Sequence, residues 1–375
     1  MTELSEKDRM AIESIRNRLN DEIPVLMNTD LQLRHEPDLM KTVWTHPLKQ
    51  RYAPYLSVST MQQQHHIDAK SNSIVWVFAM DGVDWKHLVK VIKVGDLSCL
   101  YLILHEVLIR MLLEHERTTG KESSVHAIID VHGVHVTDFM NPWSAQSKYM
   151  RYTLHIWQRW FSEQVGKVFI INAPGSLSIT WPIVKHLLSA DMHKHIHILS
   201  HVTDLFEHLS ADCIPLCYGG TRQDNSGWGA KDTCVNVPKQ ITHDDYYHPG
   251  TVWSQLSITK LPSSKRVHIK HHHTERVSVQ AEAGRRIGYQ FWTNNDLQFT
   301  VAYERVTESD TQPSKDDDNN NIDRHLVYPS LTVDSVSLCE EGIIECALAG
   351  RYSFEFTNVS HTWFSVRLDY VIVLV

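Results

Sequence analysis

Histidine is the residue type in this sequence with the most evident capacity for chemistry. There are 25 copies, and two groups stand close together: His193, His195, His197 and His201, then His271, His272 and His273. Neutral imidazole is a common zinc ligand, so a metal site is the first chemistry to weigh. The spacing argues against it. Histidines two apart share one face of a strand without converging, structural zinc sites in a reducing cell usually recruit thiolates as well, and no HExxH occurs. The six cysteines, Cys99, Cys213, Cys217, Cys234, Cys339 and Cys346, contain no CxxC pair. They read as free and mostly buried thiols rather than a disulfide framework. These residues imply no metal and no cofactor.

Other chemistries lack their anchoring motifs. Gly175-Ser-Leu-Ser has no second glycine where a nucleophile elbow needs one, and neither a GxxxxGK[ST] phosphate loop nor a GxGxxG after a strand is present. Asp130 ends a strand-like run, where ligands of parallel sheets collect. The His132-Gly133 turn that follows gives that carboxylate a simpler task, capping the turn. No catalytic residue emerges, and the chain reads as a non-enzyme.

The bulk properties narrow the classes further. The 375 residues are 42% hydrophobic and 21% charged, enough for two or three cores. A net charge of -8 supplies no broad basic face for nucleic acid. No apolar run is long enough to span a bilayer, and the first residues are too polar for a secretory signal. The expectation is a soluble, cytoplasmic protein.

Residues 1–70 read as a helical region, with Ile12, Ile15 and Leu19 at helical spacing and repeated prolines after them that forbid long helices. From Ile74-Val-Trp-Val-Phe-Ala79 the pattern alternates. Helices are predicted over Leu97–His115, Tyr149–Phe161 and Ile179–Leu188. Strands are predicted over Ser124–Asp130, Lys167–Asn172 and Ile196–Leu199. Such alternation specifies a largely parallel sheet with helices on it. Residues 241–264 read as a linker. From 265 to 375 short strand-like runs follow one another as in a β-sandwich, interrupted by the polar stretch 309–324 around Asp316-Asp-Asp-Asn-Asn-Asn321, which reads as a loop.

Lys167-Val-Phe-Ile-Ile-Asn-Ala-Pro174, a helix with Trp181 and Leu188, His195-Ile-His-Ile-Leu199, and Leu209 through Gly219-Gly-Thr221 follow one another in an order and spacing that resemble the CRAL-TRIO family of lipid-transfer proteins. The resemblance covers residues 71–240 as a domain. Gly288-Tyr-Gln-Phe-Trp292 and Ala349-Gly-Arg-Tyr-Ser-Phe-Glu-Phe-Thr-Asn358 resemble the GOLD domain that follows it in the supernatant-protein-factor and tocopherol-associated branch. The implied fold is an α/β CRAL-TRIO lipid-binding domain followed by a C-terminal all-β GOLD-type sandwich over 265–375.

That resemblance implies an apolar pocket floored by the sheet and closed by the helix after Ala173-Pro174. Burial of an acyl chain of about fifteen carbons is worth roughly 12 kcal/mol, so lipid leaves a bilayer only for an equally apolar cavity. The implied pocket and gate residues are Phe78, Ile128, Phe169, Ile171, Trp181, Val184, Leu187, Leu188 and Ile198. Glu163 and His195 match the positions of a glutamate and a lysine at the head-group site of phosphatidylinositol-binding members, and Met192 stands where those members have a threonine. The implied partners are one phospholipid or isoprenoid-like small molecule, a transiently visited membrane surface, and a protein held by the β domain. Lys265, Arg266, Lys270 through His273, Arg285 and Arg286 form a candidate basic patch there. The competing reading is an adaptor that no longer exchanges lipid.

Overall fold

The computed structural model describes residues 46–57, 67–135, 139, 141, 143–175, 181–182, 185, 188–225, 230–260, 262–305, 324–335, 337–360 and 363–375. The expected helix near the N-terminus, most of the helix after Pro174 and the polar stretch 309–323 lie outside them. The described chain divides into two compact units, one of residues up to 92 and 96–246, the other of residues 93–95 and 247–375.

In the first unit, α1 (Pro47–Tyr52) begins with a proline where the missing N–H costs nothing. The sheet has β1 (Ile67–Asp68) at one edge, antiparallel to β2 (Ser73–Ala79). The short α2 (Trp85–Leu88) and the long α3 (Val94–Thr119) follow. Gly120, at φ +65, stops α3 in the left-handed conformation that glycine adopts without strain. Then come β3 (Val125–Asp130), α4 (Ala145–Trp160), β4 (Val165–Ile171), β5 (Ile196–Ile198) and α5 (Leu205–His208). Sheet order is β1-β2-β3-β4-β5, and β2 through β5 are parallel. The predicted βα alternation is the observed one as far as β4, the helix predicted before β5 lies mostly outside the described residues, and β1, only two residues long, carried no pattern to read.

The second unit opens with α6 (Thr251–Gln255) and continues through β6 (Lys265–Ile269), β7 (Thr274–Ala281), β8 (Arg286–Thr293), β9 (Leu297–Glu304), β10 (Arg324–Val333), β11 (Glu340–Glu345), β12 (Gly350–Asn358) and β13 (Val366–Leu374). They form two antiparallel sheets, β10-β9-β12-β7 and β11-β8-β13-β6. Tyr289 and Phe291 of β8 meet Phe299 of β9 and Phe354 and Phe356 of β12, with Phe291 and Phe299 centroids 4.8 Å apart. β10 carries Pro329 within it. Its place at the sheet edge and its shifted register tolerate that proline.

The expected linker 241–264 is corrected in its second half. Val252, Trp253 and Leu256 are buried against Val371, with Ile343 and Val373 alongside. Glu341 binds this segment down, accepting from Gly250 N at 2.7 Å and from the Tyr247 hydroxyl. An isolated helix this short is unstable in water, so sequence periodicity could not reveal it.

Candidate functional site

Register assigns every side chain of the parallel sheet to a face. Phe78, Ile129, Ile170 and Ile198 pair in one row across β2 to β5, and Trp76, Ala127, Val168 and Ile196 form the row beside it. Val77, Ile128, Phe169 and His197 form a row pointing the other way.

The second face is closed. Val75, Val77, Ile128, Phe169 and Ile171 pack with Leu205, Leu209, Cys213, Ile214 and Val235 in one buried cluster. Its cover is fastened by polar contacts. Lys70 Nζ donates to the carbonyls of Phe206 and Leu209 at 2.9 and 3.0 Å, and Arg222 donates to Val75 O at 3.1 Å. Burial works against the Asp68 carboxylate, but hydrogen bonds from Ser71 and Ser210 outweigh it and keep its pKa below the ordinary value.

The first face is different. At the Trp76 row, α3 and α4 close on the sheet: the Trp76 ring meets His105 edge-on at 5.5 Å and lies 6.5 Å from Trp157. The gap left there, lined by Trp76, Leu108, Trp157 and Phe161, is about 20 Å³, room for a water and not for an acyl chain. One row further along, Phe78, Ile129 and Ile170 are only half-buried and Ile198 is 41% exposed. Strands in the middle of a parallel sheet are ordinarily covered on both faces, so this row is an apolar floor with incomplete cover.

The segment after Pro174 is tethered to the helix that packs on this face. Ser189 N donates to Gln158 Oε1 of α4 at 2.6 Å, and His193 Nε2 meets Lys185 O at 2.8 Å. Trp181 is half-buried and Leu188 is buried, while Val184 and Leu187 lie outside the residues whose side chains are described. The expected pocket set is thus corrected. Ile128, Phe169 and Ile171 belong to the closed core, because strand neighbours alternate faces. Ile129 and Ile170 share the face of Phe78 and Ile198.

The expected head-group residues sit at the amino-terminal ends of β4 and β5, the other end of the strands from this row. Glu163 is exposed ahead of β4, and His195 precedes β5 with Nδ1 2.5 Å from Gly166 O. From Gly166 to Ile170 the strand runs about 13 Å, a span that one extended lipid covers but a compact ligand does not. Met192 is buried, 1% exposed, and offers no surface to a ligand. Lys194 is taken up at the surface by Asp191 at 3.0 Å.

The clustered histidines disperse into separate tasks. His193 and His195 engage carbonyls as above, His197 lies against Phe169 and His208 at 5.8 Å from each, and His201 caps the turn before α5. Among the described residues no group of three His, Cys, Asp or Glu is placed to hold a metal. Asp130 does more than cap. Its carboxylate accepts from His132 N at 2.9 Å, Asn172 Nδ2 at 3.0 Å and Tyr218 OH at 2.6 Å, tying the ends of β3 and β4 to the loop after Pro215. Burial first, and then this carboxylate, raises the Tyr218 pKa. Burial likewise pushes the Cys213 and Cys339 thiols up to about 12, leaving them protonated and poor nucleophiles at neutral pH.

Residues 59–220 match the model of the CRAL/TRIO domain. Over 294 residues the chain is 27% identical to a CRAL-TRIO domain-containing protein of Caenorhabditis elegans, covering 77% of this chain and 69% of that protein. It is 33% identical over 107 residues to the Sec14 cytosolic factor of Schizosaccharomyces pombe, covering 28% of this chain and 36% of that one. Among solved structures, that of Sfh5 aligns at 18% identity with a TM-score of 0.35, covering 58% of this chain and 71% of that chain. No helix among the described residues is long and apolar enough to cross a membrane.

Proposed function

From the CRAL-TRIO domain that residues 59–220 carry, we propose that this protein binds one membrane lipid on the half-covered face of its parallel sheet and transfers it between membranes. The observation that carries the reading is the row Phe78, Ile129, Ile170 and Ile198, an apolar floor left partly open in a sheet whose other face is sealed. The acyl portion lies on this row. The segment from Trp181 to Leu188, tethered to α4 through Ser189 and Gln158, is the gate. Glu163 and His195 at the amino-terminal ends of β4 and β5 remain the head-group candidates, with a phospholipid or an isoprenoid such as a tocopherol as the ligand classes. The C-terminal sandwich is read as GOLD-like on its Gly288–Trp292 and Ala349–Asn358 stretches, and the protein acts in the cytoplasm with transient membrane contact.

Organic extraction of the purified protein followed by mass spectrometry tests the reading, with Ile170→Trp and Phe169→Trp as paired variants. A single lipid class at near-stoichiometric amount is expected from the wild type. Ile170→Trp fills the floor, and its lipid content should fall at least about tenfold while the fold persists. Phe169→Trp overfills a closed core and should lower stability by about 1–3 kcal/mol. Wild-type protein that stays empty after incubation with mixed liposomes would end the transfer reading in favour of an adaptor.

A further inference from the structure

We infer that the end of the C-terminal sandwich formed by Lys270–His273 and Trp363–Phe364 docks on a bilayer surface that carries anionic headgroups. This deepens the membrane-contact part of the reading above and stands independently of the lipid-binding floor. Trp363 is 89% exposed and Phe364 78%, adjacent in sequence and far barer than the core aromatics of the same unit, Phe291, Phe299, Phe354 and Phe356. The His271 ring lies 5.4 Å from Trp363 and 3.7 Å from the His272 ring, so the turn after Ile269 and the Trp363 side chain meet in one patch.

The patch is held rigidly. Asn358, fully buried, donates from Nδ2 to Ile269 O at 2.9 Å and to Phe364 O at 3.2 Å, joining the β6–β7 turn to the approach of β13. Its backbone completes the join: His272 N donates to Asn358 O at 3.1 Å and Asn358 N to His273 O at 3.0 Å. His272 takes φ +60, a conformation a glycine would hold without strain. His271 Nδ1 is buried without a hydrogen-bond partner among the described residues.

Charge selects the occupant. In a chain of net charge -8, the stretches 268–273 and 358–367 contain no aspartate or glutamate, and Lys270 is exposed there, whereas Arg367 is taken up by Asp369 at 3.5 Å. Exposed Trp and Phe beside an exposed lysine match the headgroup level of a bilayer, where indole rings partition and lysines meet anionic lipid. Two joined loop ends offer little of the roughly 800 Å² per side that a stable protein interface buries, whereas a bilayer needs only that they be inserted. The basic residues expected to join them do not. Lys265 and Arg266 sit at the other end of β6, with Arg266 paired to Asp369 at 2.5 Å. Arg285 donates to Val375 O at that same far end.

The test is flotation of the full chain with vesicles of phosphatidylcholine alone and of phosphatidylcholine with phosphatidylserine. Wild-type protein should float with the mixed vesicles, less so as salt is raised. Trp363→Ala combined with Phe364→Ala should cut the bound fraction at least about tenfold, a loss of about 1.4 kcal/mol. Lys270→Glu, an exposed change with no fold to lose, should weaken binding to the mixed vesicles alone. Ile170→Trp should still float, which separates this patch from the lipid-binding floor. Flotation of the double variant equal to wild type would overturn the inference. So would wild-type protein that floats with neither vesicle and instead self-associates or binds another protein through Trp363 in sedimentation.

Discussion

Two histidines show how burial sets chemistry at the residue scale. His105 donates from Nδ1 to Tyr101 O at 2.7 Å and accepts from the Trp157 indole at Nε2, so it is neutral in the folded protein. Burial pushes its pKa down to about 4. His126, beside Phe169, is pushed down to about 4 by burial first, with Lys167, His197 and His208 adding to the effect and Asp68 opposing it. Between pH 6.5 and about 4 the unfolded chain takes up protons that these folded imidazoles refuse. The stability they protect is therefore full above pH 6.5 and lost as the pH falls to about 4. Each accounts for of the order of 2 kcal/mol. Urea unfolding at pH 7.5, 6 and 5 should show the α/β unit weakening across this window, and His105→Asn should flatten the dependence. An unchanged midpoint from pH 7.5 to 5 would contradict the buried neutral assignment.

At the scale of elements, α6 is where a short sequence signature turns out to have a packing cause. Gly288 stands on the outer face of β8, and a Cβ there would lie 2.3 Å from Leu256 Cδ1 and 3.0 Å from Trp253 Cζ3. The glycine of the Gly288-Tyr-Gln-Phe-Trp292 stretch is thus what lets α6 lie on the sheet. Gln290 two residues on binds the Trp253 indole at 3.2 Å. Gly288→Val should lift α6, costing about 1–3 kcal/mol and exposing residues 247–258 to limited proteolysis. Wild-type stability and protease resistance in this variant would show that the contact is dispensable. The same alternation of faces corrected the pocket. Within β4, Phe169 and Ile171 must share a face that excludes Ile170, a rule legible in the sequence. Which of the two faces stays open was not legible, because both are apolar.

For the whole molecule, two compact units imply two responses to a ligand. A lipid bound at one hundred times its dissociation constant adds about 2.7 kcal/mol to the unit that holds it. Calorimetry of loaded and solvent-extracted protein should therefore shift the transition of the α/β unit and leave that of the β unit in place. Both transitions moving together, or neither, would contradict a site confined to the sheet of the first unit.

By itself, the sequence determined the succession of elements: the βα alternation from Ser73 to Ile198 and the run of strands from Lys265 onward. These are recorded in local hydrophobic period, turn residues and β-branched runs, which act over a few residues and are read there. It also carried the ordered motifs whose resemblance pointed to the domain that residues 59–220 match. The tertiary structure alone decided which face of the parallel sheet is sealed. It also decided that His193, His195, His197 and His201 part company, and that α6 belongs to a core rather than a linker. Those outcomes depend on pairing register and on cover contributed by segments distant in the chain, such as Leu205 to Val235 over Phe169. No local pattern encodes them, because the same apolar strand is compatible with a closed core on either side.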